Sequence, residues 1–80
     1  MLVKDATVYR FAELCKERGI AWHDLAIRAG VTPSSVYSMI NPARKELRIS
    51  LIKKLCDGLE ISVKAFFDSE LFENIEQEIQ

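Results

Sequence analysis

Histidine and tryptophan each occur once in this chain, cysteine and proline twice, and glycine three times. One histidine, His23, and two widely separated cysteines, Cys15 and Cys56, are too few to build a Cys/His zinc finger. His23 stands beside Asp24 with no nucleophile at catalytic spacing. Ser34, Ser35 and Ser38 lack an accompanying base, an oxyanion-forming glycine motif or a phosphate-cradling loop. No catalytic residue, metal site or cofactor is therefore expected. No apolar run approaches the roughly 20 residues that span a bilayer, and Met1-Leu2-Val3-Lys4-Asp5 lacks the basic-then-apolar order of a secretory leader. These absences predict a cytoplasmic protein without a membrane partner, in which Cys15 and Cys56 stay reduced and act as small apolar groups; the alternative is a disulfide between them, since both are expected to face the core.

What is present fits one small helical unit. Of 80 residues, 49% are hydrophobic and 29% charged, far from the apolar-poor composition of disordered chains. A chain this short buries only a modest share of its surface, so its core must pack efficiently. The net charge of −1 is unevenly spread. Residues 1–58 carry ten Lys/Arg against six Asp/Glu, whereas residues 59–80 carry one Lys against six acids. A basic body with an acidic tail suits phosphate contact by the body and self-association or solvation by the tail. The alternative is a random scatter of surface charge.

Helical spacing recurs along the chain. Val8, Phe11, Ala12 and Cys15 share one face of a first helix from about Ala6 to Arg18, ended by Gly19. Leu25, Ala26 and Ala29 mark a two-turn helix from about Trp22, closed by Gly30. Thr32-Pro33 is the clearest helix start: the threonine can cap free amides, and proline suits the first helical position. This third helix should run to about Ile40, because Asn41-Pro42 disfavours continuation. Residues 41–48 then form a loop rich in basic side chains. Ile49, Ile52, Leu55, Cys56 and Leu59 give a fourth stripe, interrupted by Gly58. A fifth helix, capped by Ser62, should carry Val63, Phe66, Phe67, Leu71, Ile75 and Ile79 on through the acidic end of the chain.

The stretch from Leu25 to Ile40 carries the function. Two helices crossing steeply over a short turn need small residues at their contact and a turn residue tolerant of positive φ; Ala26, Ala29 and Gly30 supply these. Val36 then packs onto Ala26, and Val31 and Ile40 reach the core. Pro33, Ser34, Ser35, Tyr37, Ser38 and Asn41 are left toward solvent, on a face able to enter a DNA major groove.

At these residues the sequence resembles the phage-repressor/Cro (XRE-type) family of helix-turn-helix DNA-binding domains, in which Leu-Ala, three variable residues, Gly-Val and Ser or Thr precede the reading helix. The resemblance covers roughly Tyr9 to Phe67. It implies an all-α, five-helix repressor-like domain, taken here as residues 1–68, and duplex DNA as the partner of a transcriptional regulator; the apolar spacing and acidic residues beyond it make 69–80 an acidic amphipathic helical tail. It also places base-contacting positions on Pro33, Ser34 and Ser38, beside Tyr37 and the capping Thr32.

Two departures from the family bear on contacts. Ala21-Trp22 stands where many members have Ser-Gln, so the usual capping hydroxyl and phosphate-binding amide are missing. Trp22 either offers its indole N–H to a phosphate or packs against the first helix. On the reading helix, no side chain can make a bidentate contact to a base, each of which is worth about 1 to 3 kcal/mol of discrimination. Selectivity should then be modest or assisted by Asn41, Arg44, Lys45 and Arg48, read as phosphate contacts or else as a solvated loop. Lys53 and Lys54 are read as solubilising surface residues.

A single module reads few base pairs, so a homodimer is expected, with the tail as its contact surface. The tail's apolar residues Leu71, Phe72, Ile75 and Ile79 alternatively cover Met1-Leu2-Val3 of the same chain. The competing function is a protein-binding adaptor, such as an antitoxin, favoured by the exposed Tyr37 and the shortage of long polar readers.

Overall fold

Five α-helices follow one another in the order α1 (Val3–Arg18), α2 (Trp22–Ala29), α3 (Pro33–Ile40), α4 (Ile49–Gly58) and α5 (Val63–Phe67), with a 3-10 turn at Glu70–Phe72 and no strand among the described residues. The computed structural model describes residues 1–79; Gln80, the last residue of the expected tail, lies outside them. No helix among these residues is long and apolar enough to cross a membrane.

The helix boundaries follow local chemistry. Gly19 (φ 63°) and Gly30 (φ 68°) adopt the left-handed conformation that ends α1 and α2. Thr32 and Ser62 cap α3 and α5 by accepting from the amides of Ser35 and Ala65 at 3.3 and 3.0 Å. At α2, whose cap residue Ala21 has no hydroxyl, the Asp24 carboxylate reaches back to accept from the Ala21 amide at 2.9 Å.

One core gathers the inward faces of all five helices. Phe11, Leu14 and Cys15 meet Leu25, Ala26, Val36, Met39, Ile52, Leu55, Cys56 and Phe66, all buried. Val31, Ile40 and Trp22 pack against this cluster from its rim. Cys15 and Cys56 are free thiols within it, and burial pushes both above the ordinary value of 9.0, which keeps them protonated and apolar in character. Gly58 is a helical residue where α4 crosses the end of α2. A Cβ there would stand 2.9 Å from the Ala29 nitrogen and 3.1 Å from its Cβ. The expected interruption of the helix is thus a contact point between helices, and it needs a residue without a side chain.

Two expectations are corrected. α1 begins at Val3, three residues earlier than its apolar spacing suggests, with the Leu2 carbonyl accepting from the Ala6 amide at 3.1 Å. Over the described residues 69–79 the expected amphipathic α-helix does not form. α5 stops at Phe67, the backbone of Ser69 is extended (φ −151°, ψ 145°), and the Ser69 hydroxyl accepts from the Leu71 amide at 3.2 Å. This reversal swings Phe72 back onto the α5 rings, 4.9 Å from Phe67 and 6.0 Å from Phe66, while Phe66 stacks 4.3 Å from Phe11. Arg10 holds the end of α5 by donating to the carbonyls of Phe66 and Ala65 at 2.8 and 3.1 Å. Beyond the turn the chain runs along the start of α1: the Glu76 amide donates to the Met1 carbonyl at 3.0 Å, and the Val3 amide donates to Glu78 at 3.3 Å. A carboxylate at a helix N-terminus is favoured by the free amides there. Apolar residues at helical spacing serve a folded-back segment as well as a helix, so periodicity alone does not distinguish the two.

Candidate nucleic-acid interface

The α2–α3 hairpin sets the orientation of the outward helix. Gly30 donates to the Ile27 carbonyl at 3.2 Å and Val31 to that of Ala26 at 3.1 Å, closing the turn. Ala26 and Val36 are both fully buried. With Val36, Met39 and Ile40 committed to the core, helical geometry turns the intervening residues outward: Ser34, Tyr37, Ser38 and Asn41 are exposed, and Pro33 and Ser35 are half-buried. Tyr37 stands 50% exposed, an aromatic ring with no core role.

Three hydroxyls cluster at the start of this helix. Thr32 Oγ1 lies 3.1 Å from Ser34 Oγ and 2.8 Å from Ser35 Oγ, besides accepting from the Ser35 amide. Hydroxyls donate and accept alike, so this group suits contact with phosphate or base edges without fixing which base is present.

The other end of α3 is anchored from a distance. Lys4, on the first turn of α1 and only 5% exposed, donates its Nζ to the Asn41 carbonyl at 2.7 Å. The same carbonyl accepts from the Arg44 amide at 3.0 Å, and Asn41 Oδ1 accepts from the Ala43 amide at 3.0 Å, folding residues 41–44 into a turn. A cation at the last carbonyls of a helix also complements its negative dipole end.

The basic loop then wraps back toward α3. A cleft of about 370 Å³ is walled by Ser35 and Ser38 of α3, by Arg44, Glu46 and Arg48 of the loop, and by Ser50 and Lys54 of α4, over a floor that includes Val31, Met39, Leu47 and Leu51. Three cations and one carboxylate therefore face the hydroxyl side of α3. Of the residues singled out in the sequence, Ser35, Ser38, Arg44 and Arg48 come together here. Thr32, Pro33, Ser34, Tyr37 and Asn41 lie on the adjoining helix and its ends. Lys45 is exposed on the loop outside the cleft, and Trp22 packs half-buried on the core, away from it.

Lys54, Glu46 and Lys4 escape the sequence reading. Lys54 falls one turn into α4, a position whose direction depends on how the 41–48 loop folds, and it lines the cleft where a merely solubilising surface residue was expected. Lys53 does stay on the surface, paired with Asp57 at 2.6 Å. For Lys4, only the expectation that α1 begins earlier would have placed it on a helix at all.

Similarity to known proteins agrees with this architecture. A family model described as a Cro/C1-type HTH DNA-binding domain matches residues 10–69, three quarters of the chain. The crystal structure of the prophage Lp1 protein 11 superimposes with a TM-score of 0.81 at 28% identity, covering 94% of this chain and 100% of that one. Among proteins of curated function, none matches. With the buried hairpin, the glycine turn and the outward helix in place, this chain belongs to the family of Cro/C1-type helix-turn-helix DNA-binding domains.

Proposed function

We propose that this domain is a transcriptional regulator, acting as a repressor, that lays α3 in the major groove of duplex DNA while Arg44, Lys45, Arg48 and Lys54 hold the flanking phosphates. The observation that carries this reading is the cleft that sets Arg44, Arg48 and Lys54 beside Ser35 and Ser38. In the groove, Thr32, Pro33, Ser34, Tyr37, Ser38 and Asn41 supply the contact face. Phosphate contacts supply most of the affinity and orientation, and base contacts supply discrimination. Because Asn41, whose Oδ1 already accepts from the Ala43 amide, is the one bidentate type among these groove-facing side chains, the domain depends heavily on the first kind and on a second copy for usable specificity. Two copies would address half-sites about one helical turn, ~34 Å, apart.

The dimer surface is assigned to the chain's acidic end. Met1 (47% exposed), Val3 (40%) and Ile79 (86%) leave apolar groups uncovered where that end runs along α1. Sedimentation of the full chain and of a chain ending at Asp68 tests this assignment. Loss of dimer on truncation supports it, and an unchanged monomeric mass before and after rejects it.

Titrating isotope-labelled protein with mixed-sequence duplex tests the DNA reading. Shifted amide signals over residues 32–54 are expected; no shifts at low salt would reject it. The exposed ring of Tyr37 favours a second reading, in which the same face engages a protein. Under that reading a partner protein, and not duplex, perturbs α3.

A further inference from the structure

Lys4 is a long cationic side chain buried at 5% exposure, and among the described residues no carboxylate lies within ion-pair distance of it. Its recorded partner is a single main-chain oxygen, that of Asn41. Taking an ammonium out of water against one neutral acceptor is costly, and a methionine would fill the same space without that cost. What the charge provides is a fixed point. Asn41 O is the junction at which the Lys4 Nζ and the Arg44 amide both donate, while Asn41 Oδ1 holds the Ala43 amide. The turn so formed launches the loop whose Arg44 and Arg48 wall the cleft. Residues 42–46 are all exposed, so no side-chain packing of their own fixes the path of this stretch.

We propose that Lys4 is a positioning residue for DNA binding: through the Asn41 carbonyl it sets where Arg44 meets the phosphate backbone, coupling the first turn of α1 to the contact surface 40 residues further along the chain. This rests on the DNA-binding reading for its consequence, but the geometric part stands apart from it.

The test is a double-mutant cycle in the full-length chain with Lys4→Met and Arg44→Ala, read by the affinity for a mixed-sequence DNA duplex at several salt concentrations and by hydrogen exchange of the Arg44 amide in the absence of DNA. Lys4→Met is expected to weaken binding roughly threefold to tenfold and to flatten the salt dependence by about one phosphate contact. In the Arg44→Ala background it should add almost nothing, because the group it positions is gone. The Arg44 amide should exchange faster in Lys4→Met than in wild type. A Lys4→Met effect that adds fully to Arg44→Ala, or leaves the salt slope unchanged, overturns the proposal, as does unaltered exchange at Arg44. If wild type binds no duplex, the DNA-binding reading fails, and the exchange measurement alone decides whether Lys4 holds the turn. Should Lys4→Met not fold, Lys4→Arg replaces it. Wild-type affinity and Arg44 protection in that variant support the proposal, and a loss additive to Arg44→Ala contradicts it.

Discussion

The α-carbon of Gly58 faces the backbone of Ala29 so closely that a methyl group on it would sit 2.9 Å from the Ala29 nitrogen. The contact joins the end of α4 to the last turn of α2, immediately before the Gly30 turn that aims α3. Gly58→Ala therefore either shifts α2 or tilts α4. The helix-propensity gain of alanine is outweighed by overpacking, and a net loss of about 1 to 3 kcal/mol is expected in urea unfolding. A neutral or stabilising result would mean the crossing is looser than this spacing.

Arg10 is the second distant clamp. Its guanidinium donates to two of the last carbonyls of α5, and Arg10→Met leaves that of Phe66 without its donor and that of Ala65 with only the Asp68 amide at 3.3 Å. A loss of about 1 to 3 kcal/mol is expected. Reduced packing of Phe67 and Phe72 should accompany it, visible as shifted aromatic NMR signals.

Much of this was readable in the chain, and what was not has a common cause. Gly19, Gly30, Thr32-Pro33 and Ser62 act within a few residues of themselves, so their turn and capping roles follow from sequence neighbours alone. Lys4, Gly58 and Lys54 act across the fold. Each has an ordinary local reading, as an N-terminal charge, a helix breaker and a surface lysine, until the partner element is in place. The acidic end shows the same ambiguity: Leu71, Ile75 and Ile79 match a helical face, yet the Ser69 reversal lets Phe72 join a ring cluster that a straight helix would leave behind.

The buried thiols give stability a pH dependence. Burial raises both Cys15 and Cys56, with Asp57 adding to the rise at Cys56, so the unfolded chain ionises before the folded one. Their contribution is complete below about pH 9, the ordinary thiol value, and is lost as pH rises toward the folded-state values. Unfolding free energy should thus decline above that point more steeply in wild type than in a Cys15→Ala, Cys56→Ala variant. Equal slopes would contradict the burial of these thiols. A thiol reagent should react with native protein only at the rate of unfolding.

Glu46 is the one carboxylate in the basic cleft and opposes the approach of phosphate. Glu46→Gln should strengthen binding to mixed-sequence duplex by roughly 0.5 to 1 kcal/mol, the scale of one partly screened charge pair. It should do so more at low salt than at high salt. Weaker binding of the glutamine variant would instead give Glu46 a contact that needs its charge, such as a cytosine amino group.

In the proposed complex, α3 and the 41–54 segment form a DNA surface held mainly by phosphate contacts. Fluorescence titration of duplex DNA across a salt series is the decisive measurement. If Arg44, Lys45, Arg48 and Lys54 each neutralise one phosphate, the logarithm of the binding constant should fall against the logarithm of salt with a slope of about −3 to −4 per domain, and Arg44→Ala or Lys54→Ala should each reduce that slope by about 0.9. Absence of binding at low salt, or binding indifferent to salt and to both substitutions, would contradict the account.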